Sequence, residues 1–214
     1  MGKANCVYGR GLIARCRSDH ETAVKHFEEA LALYRRTGEV VGEANCVMSL
    51  GDIANARSDY DTAIACFEEA LGLCRPAGNI RGEANCMERL GNVARARSDH
   101  ETAVKRFEDA LALYRHVGDV AGEAETTIRR GQVRLAAGDS LGGMADIEGG
   151  FGLYFGVSDT KDRARTGWQA MHRSMTSEGA EAERQLEIAK SEWTAIGRID
   201  LVFDWIDSRP ERRQ

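Results

Sequence analysis

The sequence predicts an all-α solenoid of four to five helix pairs with a C-terminal capping helix. Three observations carry that prediction: a 40-residue internal repeat, two apolar stripes of helical period in each copy, and a composition with 23 Gly but only 2 Pro. Self-similarity at a fixed period marks an array, in which each copy is one supersecondary unit. Gly42–Arg81 and Gly82–Ala121 agree at 21 of 40 positions, and Gly2–Val41 agrees with the latter at 26 of 40 without a gap. Gly122-Glu123-Ala124 opens a fourth copy, with Gly131 and Asp139 in step. Ala164 opens a fifth, diverged copy. The expected organisation is therefore repeats 2–41, 42–81, 82–121 and 122–158 in a domain over 1–158, followed by a diverged helix pair and cap over 159–214.

Within copy two, Ala44, Val47, Leu50, Ile53 and Ala54 recur at three- and four-residue spacing, one face of a first helix. Gly51 in that stripe leaves room for a close neighbour. Asp59 is a good N-cap for the second helix, with Asp61 in its first turn facing the positive end of the helix dipole. That helix buries Ala63, Ile64, Phe67, Ala70, Leu71 and Cys74, and stops near Gly78, a natural left-handed terminator. Asn79, with Glu39 and Asp119 in the other copies, is placed to cap the next first helix. Neither helix can bury its face alone, so stacked copies share one core.

Copy four departs from the pattern. Arg130 takes the Leu50 slot, as Arg10 does in copy one, and Arg134 takes the Ala54 slot. Its second helix carries Gly142, Gly143, Gly149, Gly150 and Gly152, which weaken it by about 1 kcal/mol per added Gly. Gly143 and Gly150 fall in the small-residue slots of Ala63 and Ala70. Beyond Lys161, Asp162–Ser174 and Ala180–Ile196 form the expected fifth pair, and Ile199–Ile206 the capping helix, with all three Trp (Trp168, Trp193, Trp205) in this part.

Leu50-Gly51, then Ala54, Ala63, Phe67 and Ala70, resemble the tetratricopeptide repeat (TPR) signature at that family's offsets from Ala44. The usual period is about 34 residues, and the extra residues here sit in G-N-I-R-G-E-A between second and first helices. The longer repeat is similar to arrays of the Pins/LGN polarity adaptors and kinesin light chain. It is also similar to arrays at the C-terminal end of NB-ARC/STAND signalling ATPases. HEAT-type repeats share the longer period but lack the Gly51/Ala63/Phe67 spacing. The resemblance implies a right-handed TPR superhelix that binds a protein or peptide partner in its concave groove and is not an enzyme. By the family's groove positions, the lining residues are Asn5, Tyr8, Leu12 and Arg15; Asn45, Met48, Asp52 and Asn55; Asn85, Glu88, Asn92 and Arg95; then Glu125, Ile128 and Gln132. An asparagine carboxamide donates and accepts, so Asn5, Asn45 and Asn85 can pair with a peptide backbone whatever its side chains. The same repetition is also expected from recent duplication, or from Asn pairing with a neighbouring helix. Arg15, Arg89 and Arg95 favour an acidic or phosphorylated ligand.

Other chemistry finds little footing. A net charge of −5 and pI near 5.6 argue against a nucleic-acid partner held by phosphate neutralisation. No apolar run reaches the ~18 residues of a membrane span, and the N-terminus has no secretory h-region, so a cytoplasmic location is expected. Cys6, Cys46 and Cys86 are one repeat position. With Cys16, Cys66 and Cys74 they read as six buried structural thiols, with no C-x-x-C. His20-Glu21-Thr22-Ala23-Val24 and its copy at His100 lack the second histidine of a zinc motif, and Gly138–Gly156 lacks the G-K-[ST] of a phosphate loop. No metal or cofactor is expected. Copy one begins at residue 2 without a cap, which suggests a longer array or a face covered by another molecule. A homodimer through that repeat, or a sensor of a short signalling peptide, are the alternatives to groove binding in a signalling or scaffold protein.

Overall fold

The turn inside each repeat shows how the local sequence sets the pairs. In Arg-Ser-Asp, the serine adopts a left-handed conformation in all three tight copies: Ser18, Ser58 and Ser98 have φ of 58°, 60° and 59°. A non-glycine residue there costs about 1–2 kcal/mol. The strain is offset by hydrogen bonds that close the first helix, from the N–H of Ser58 to Asn55 O at 2.9 Å and of Asp59 to Ala54 O at 2.9 Å. The aspartate then caps the second helix as expected. The carboxylates of Asp19, Asp59 and Asp99 accept from the backbone N–H of Thr22, Thr62 and Thr102 at 3.1, 3.2 and 3.1 Å. Gly38 and Gly118 end the second helices of copies one and three with φ of 69° and 68°, whereas that of copy two ends at Cys74 and Gly78, with φ of 64°, lies in the turn beyond it. Of the expected caps beyond them, Asn79 accepts from Gly82 N at 3.0 Å, whereas Glu39 makes no side-chain cap bond. The carboxylate of Asp119 pairs with Arg81 at 3.0 Å.

The computed structural model describes residues 2–155, 166–167, 169–171, 173–174 and 179–195. It is all-α, with no strand among the described residues. The helices are α1 (Gly2–Cys16), α2 (His20–Thr37), α3 (Val40–Ala56), α4 (Tyr60–Cys74), α5 (Ile80–Ala96), α6 (His100–Val117), α7 (Val120–Ala136), α8 (Ser140–Phe155) and α9 (Gly179–Ala195). The described residues between 166 and 174 are also helical. The expected capping helix at 199–206 lies outside the described residues, as do Trp168 and Trp205. Two compact units divide the chain, Met1–Asp119 and Val120–Gln214.

In the first unit α1–α2, α3–α4 and α5–α6 form antiparallel pairs, each locked by a phenylalanine ring on a glycine. A Cβ on Gly11, Gly51 or Gly91 would stand 2.6, 2.7 and 2.7 Å from the rings of Phe27, Phe67 and Phe107. All three phenylalanines are fully enclosed. Successive pairs then bury α3 on both sides and pack α4 on α5. One cluster joins Val47, Phe67, Leu71, Met87, Leu90, Val93 and Tyr114 across the second and third repeats. No helix pair precedes α1 among the described residues, so Ile13 is 56% exposed where Ile53 and Val93 are 2% and 0%.

In the second unit α7 packs on α8, and both departures of copy four acquire a reason. Arg130 and Arg134 converge on one carboxylate of α8. Arg130 Nε and Nη2 donate to Asp146 at 2.8 and 2.6 Å, and Arg134 Nη1 donates at 3.0 Å. The glycines of α8 are not merely weak helix formers. A Cβ on Gly143 would lie 2.8 Å from Gly131 O, and one on Gly150 2.8 Å from Ala124 O, so the two backbones approach where a side chain would part them.

Two substitutions test this packing. Gly91→Ala gains helix propensity but forces the Phe107 ring aside, and should destabilise by about 1–3 kcal/mol in urea unfolding. Asp146→Ala leaves two partly buried guanidinium groups without their carboxylate. It should cost about 3–5 kcal/mol in the same measurement.

Candidate functional site: the first-helix stripe

The faces of α1, α3 and α5 that carry the expected groove positions are polar except at Leu12 and Met48, which packing claims. The first asparagine of each stripe is half-buried or exposed. Asn5 Oδ1 accepts from the Tyr34 hydroxyl at 2.7 Å, and Asn85 Oδ1 from the Tyr114 hydroxyl at 2.6 Å. The Tyr114 hydroxyl also lies 3.0 Å from Glu88 Oε2. Burial raises the titration of both phenols, reinforced at Tyr114 by the Glu88 carboxylate, so they remain protonated donors. Asn45 has no such partner, because α4 carries Cys74 at the tyrosine position. Its backbone carbonyl accepts from Ser49 Oγ at 2.8 Å. With that hydroxyl hydrogen committed, Tyr8 donates to Ser49 Oγ at 3.2 Å, its ring 5.5 Å from that of Phe27.

At the centre of the stripe Asp52 joins three repeats. Arg15 Nη1 on α1 donates to Asp52 Oδ2 at 2.7 Å, and Arg89 Nε on α5 donates to Asp52 Oδ1 at 2.8 Å. The expectation that Arg15 and Arg89 stand ready for an acidic ligand is thereby corrected: both already share Asp52. Burial of Arg89 disfavours its charge, but Asp52 more than compensates and its titration is raised. Glu88 adds a second carboxylate beside Arg89, and the side chains of Arg15 and Arg89 are 34% and 30% exposed.

The remaining positions differ in environment. Met48 is only 5% exposed and belongs to the apolar cluster of the second and third repeats. Leu12 packs against Phe27 and Ile53. Asn55 Oδ1 is enclosed without a hydrogen-bond partner. Asn92 is half-buried and Arg95 exposed on α5. On α7, Gln132 is half-buried, Ile128 is buried, and Glu125 pairs with Arg129 on the surface. Reading the stripe one helix at a time missed Tyr34, Tyr114 and Ser49. The signal was present, since tyrosine accompanies the asparagine in copies one and three and cysteine replaces it in copy two.

The thiols require a second correction. Cys46, Cys74 and Cys86 are buried and Cys66 half-buried, but Cys6 is exposed where the equivalent Cys46 packs against the preceding repeat, and Cys16 is exposed at a position where Ala56 and Ala96 are exposed as well. Burial pushes the Cys46 thiol up to about 12. Cys86 donates its S–H to Cys74 and is raised by that bond and by burial. A thiol reagent should therefore label two cysteines rapidly in the native protein, Cys66 more slowly, and the other three only on unfolding. Mass spectrometry of the labelled peptides reads this order. Rapid labelling of Cys46 or Cys86 would contradict it.

No helix among the described residues is long and apolar enough to cross a membrane. No curated protein matches the chain in sequence. The chain is similar in fold to aspartyl phosphate phosphatase F from Bacillus subtilis (TM-score 0.76, 11% identity, covering 100% of this chain and 60% of that one). It thus spans about 60% of that protein's length. The Rap conjugation gene regulator of the plasmid pLS20, solved with the Phr* peptide, gives a TM-score of 0.66 at 18% identity over 92% of this chain and 54% of that one. The nearly identical TPR-like repeats of a putative kinesin light chain from Podosopora anserina give 0.67 at 13% identity, over 92% of this chain and 97% of that one. The tetratricopeptide repeat profile matches residues 3–76 and again 43–116, together more than half of the chain. With its glycine–phenylalanine helix pairs and its matched repeats, the chain belongs to the tetratricopeptide repeat family, whose fold serves protein interaction and is generally non-catalytic.

Proposed function

We propose that the chain binds an extended segment of a protein or peptide along the stripe of α1, α3 and α5. The observation that carries the reading is the Arg15–Asp52–Arg89 cluster at its centre. Two partly exposed guanidinium groups hold one carboxylate, at 2.7 and 2.8 Å. Both are partly exposed and Arg15 keeps donors that Asp52 does not use, so an acidic side chain of a ligand can join the cluster through charge-assisted hydrogen bonds. The carboxamide of Asn45 on the same helix as Asp52 supplies a donor suited to a main-chain carbonyl. The peptide held by the pLS20 regulator supports the reading by likeness of fold. Gln132 stands at the repeat position of Asp52 and Asn92 on α7 of the second unit. The role in the cell would be that of an interaction module within a cytoplasmic signalling or scaffold assembly.

An array of short random peptides tests this. The protein should retain a subset enriched in Asp and Glu. Arg15→Gln should weaken that subset while leaving the melting temperature near its original value, because surface ion pairs contribute only about 0–1 kcal/mol. Retention of no peptide, or of basic peptides preferentially, would refute the groove reading.

A further inference from the structure

The three stripe asparagines are not equivalent. Tyr34 and Tyr114 hold the oxygens of Asn5 and Asn85 at 2.7 and 2.6 Å. For either carboxamide to turn toward a ligand, a buried tyrosine must give up its acceptor. Cys74 follows Asn45 by the same 29 residues that separate Tyr34 from Asn5. A thiol on one methylene is too short to reach across. It contacts Asn79 Nδ2 at 3.9 Å and the Cys86 thiol instead. Asn45 consequently makes no side-chain hydrogen bond among the described residues, and neither of its amide atoms is sealed from solvent. It lies on the same helix as Asp52, two turns before it, where Asp52 holds the partly exposed guanidinium groups of Arg15 and Arg89.

We propose that Asn45 is the residue that grips the main chain of a bound acidic peptide, and that cysteine in place of tyrosine at position 74 is what makes it available. Asn5 and Asn85 then serve the fold, tying each first helix to its second. The occupant is an extended segment with a carboxylate within a few residues of the gripped peptide group, so that both Asn45 and the arginine pair are engaged together. This inference rests on the peptide-binding reading and adds a register to it: the second repeat, not the array as a whole, sets where the main chain is held.

The surroundings of Cys74 allow the missing hydroxyl to be restored. The Tyr34 ring lies against Gly42, where a Cβ would come within 2.4 Å, and shares a cluster with Cys46. Gly82 and Cys86 stand at the same repeat positions beside Cys74, so Cys74→Tyr has a site of the same lining to enter. Cys74→Phe fills the same volume without the hydroxyl.

The experiment screens the protein and its Cys74→Tyr, Cys74→Phe and Asn45→Ala variants against one array of short random peptides, with melting curves to confirm folding. On the peptides that the unaltered protein retains, Cys74→Tyr and Asn45→Ala should each weaken binding by about two- to twelvefold, the worth of one hydrogen bond. Cys74→Phe should leave it unchanged. If Cys74→Tyr and Cys74→Phe behave alike, or Asn45→Ala binds as tightly as the parent, the assignment to Asn45 is overturned while peptide binding stands. If the parent retains no peptide, the groove reading itself falls and this assignment with it. Should Cys74→Tyr fail to fold, Asn45→Ala against Cys74→Phe decides between the same outcomes.

Discussion

The contact of a phenylalanine ring with a backbone that has no Cβ is the constraint on which the first unit depends. Gly11, Gly51 and Gly91 admit Phe27, Phe67 and Phe107 to distances a side chain would forbid. Ring burial of this kind contributes about 1.5–3 kcal/mol per residue relative to exposure. Its larger consequence is geometric. Once the ring is seated, the rotation of each first helix is set, and with it which residues meet the second helix and which face away. The polar stripe of α1, α3 and α5 is the remainder left after that choice. Its composition is free of packing demands except where a neighbour reaches over, as Tyr34, Tyr114 and Arg89 do, or where the residue joins the core, as Met48 and Leu12 do.

Copy four shows what happens when the repeat residues are replaced. A small apolar slot filled by Arg134 and a leucine slot filled by Arg130 would leave uncompensated charge in a helix interface. Asp146, on the facing helix, accepts three hydrogen bonds from them at 2.6 to 3.0 Å. Glycine in place of alanine at Gly143 and Gly150 lowers helix propensity by about 1 kcal/mol each, yet it lets α8 settle on the carbonyls of α7. The interface is rebuilt around ions and close backbone contact where the earlier copies use apolar side chains. A mutation at any one of these positions is therefore read against its neighbours, since the terms do not add independently.

Much of this was legible in the sequence. A repeat register counts residues, and helix caps depend on side chains within three residues of the turn, so the pairs, the Asp caps and the terminating glycines could be read directly. The left-handed serines escaped, because nothing local distinguishes Ser58 from a helical serine until the following aspartate closes the turn. The thiol of Cys6 was misread because burial belongs to the neighbouring repeat, not to the residue; the same cysteine is enclosed at position 46 and exposed at position 6, whereas the Cys16 position is exposed in all three tight copies. The groove arginines were misread for a related reason. Arg15 and Arg89 lie 37 residues to either side of Asp52, and only stacking the helices reveals that one carboxylate serves both.

Asparagine at the head of each first helix brings these lines together. Duplication explains why the residue recurs, and the fold explains why it is tolerated, but neither assigns it a task. The task depends on what stands across the pair. A tyrosine hydroxyl satisfies the carboxamide oxygen and converts a surface group into a tie between helices, worth about 1 kcal/mol net. A cysteine at that point leaves the same carboxamide facing water, where it costs nothing to expose and remains available to any partner that brings a peptide group. A change on the second helix, remote from the stripe itself, can therefore move a residue between stabilising the array and reading a ligand. In a solenoid built from near-identical copies, such substitutions are how one repeat comes to differ in function from the next while the backbone of all of them stays the same.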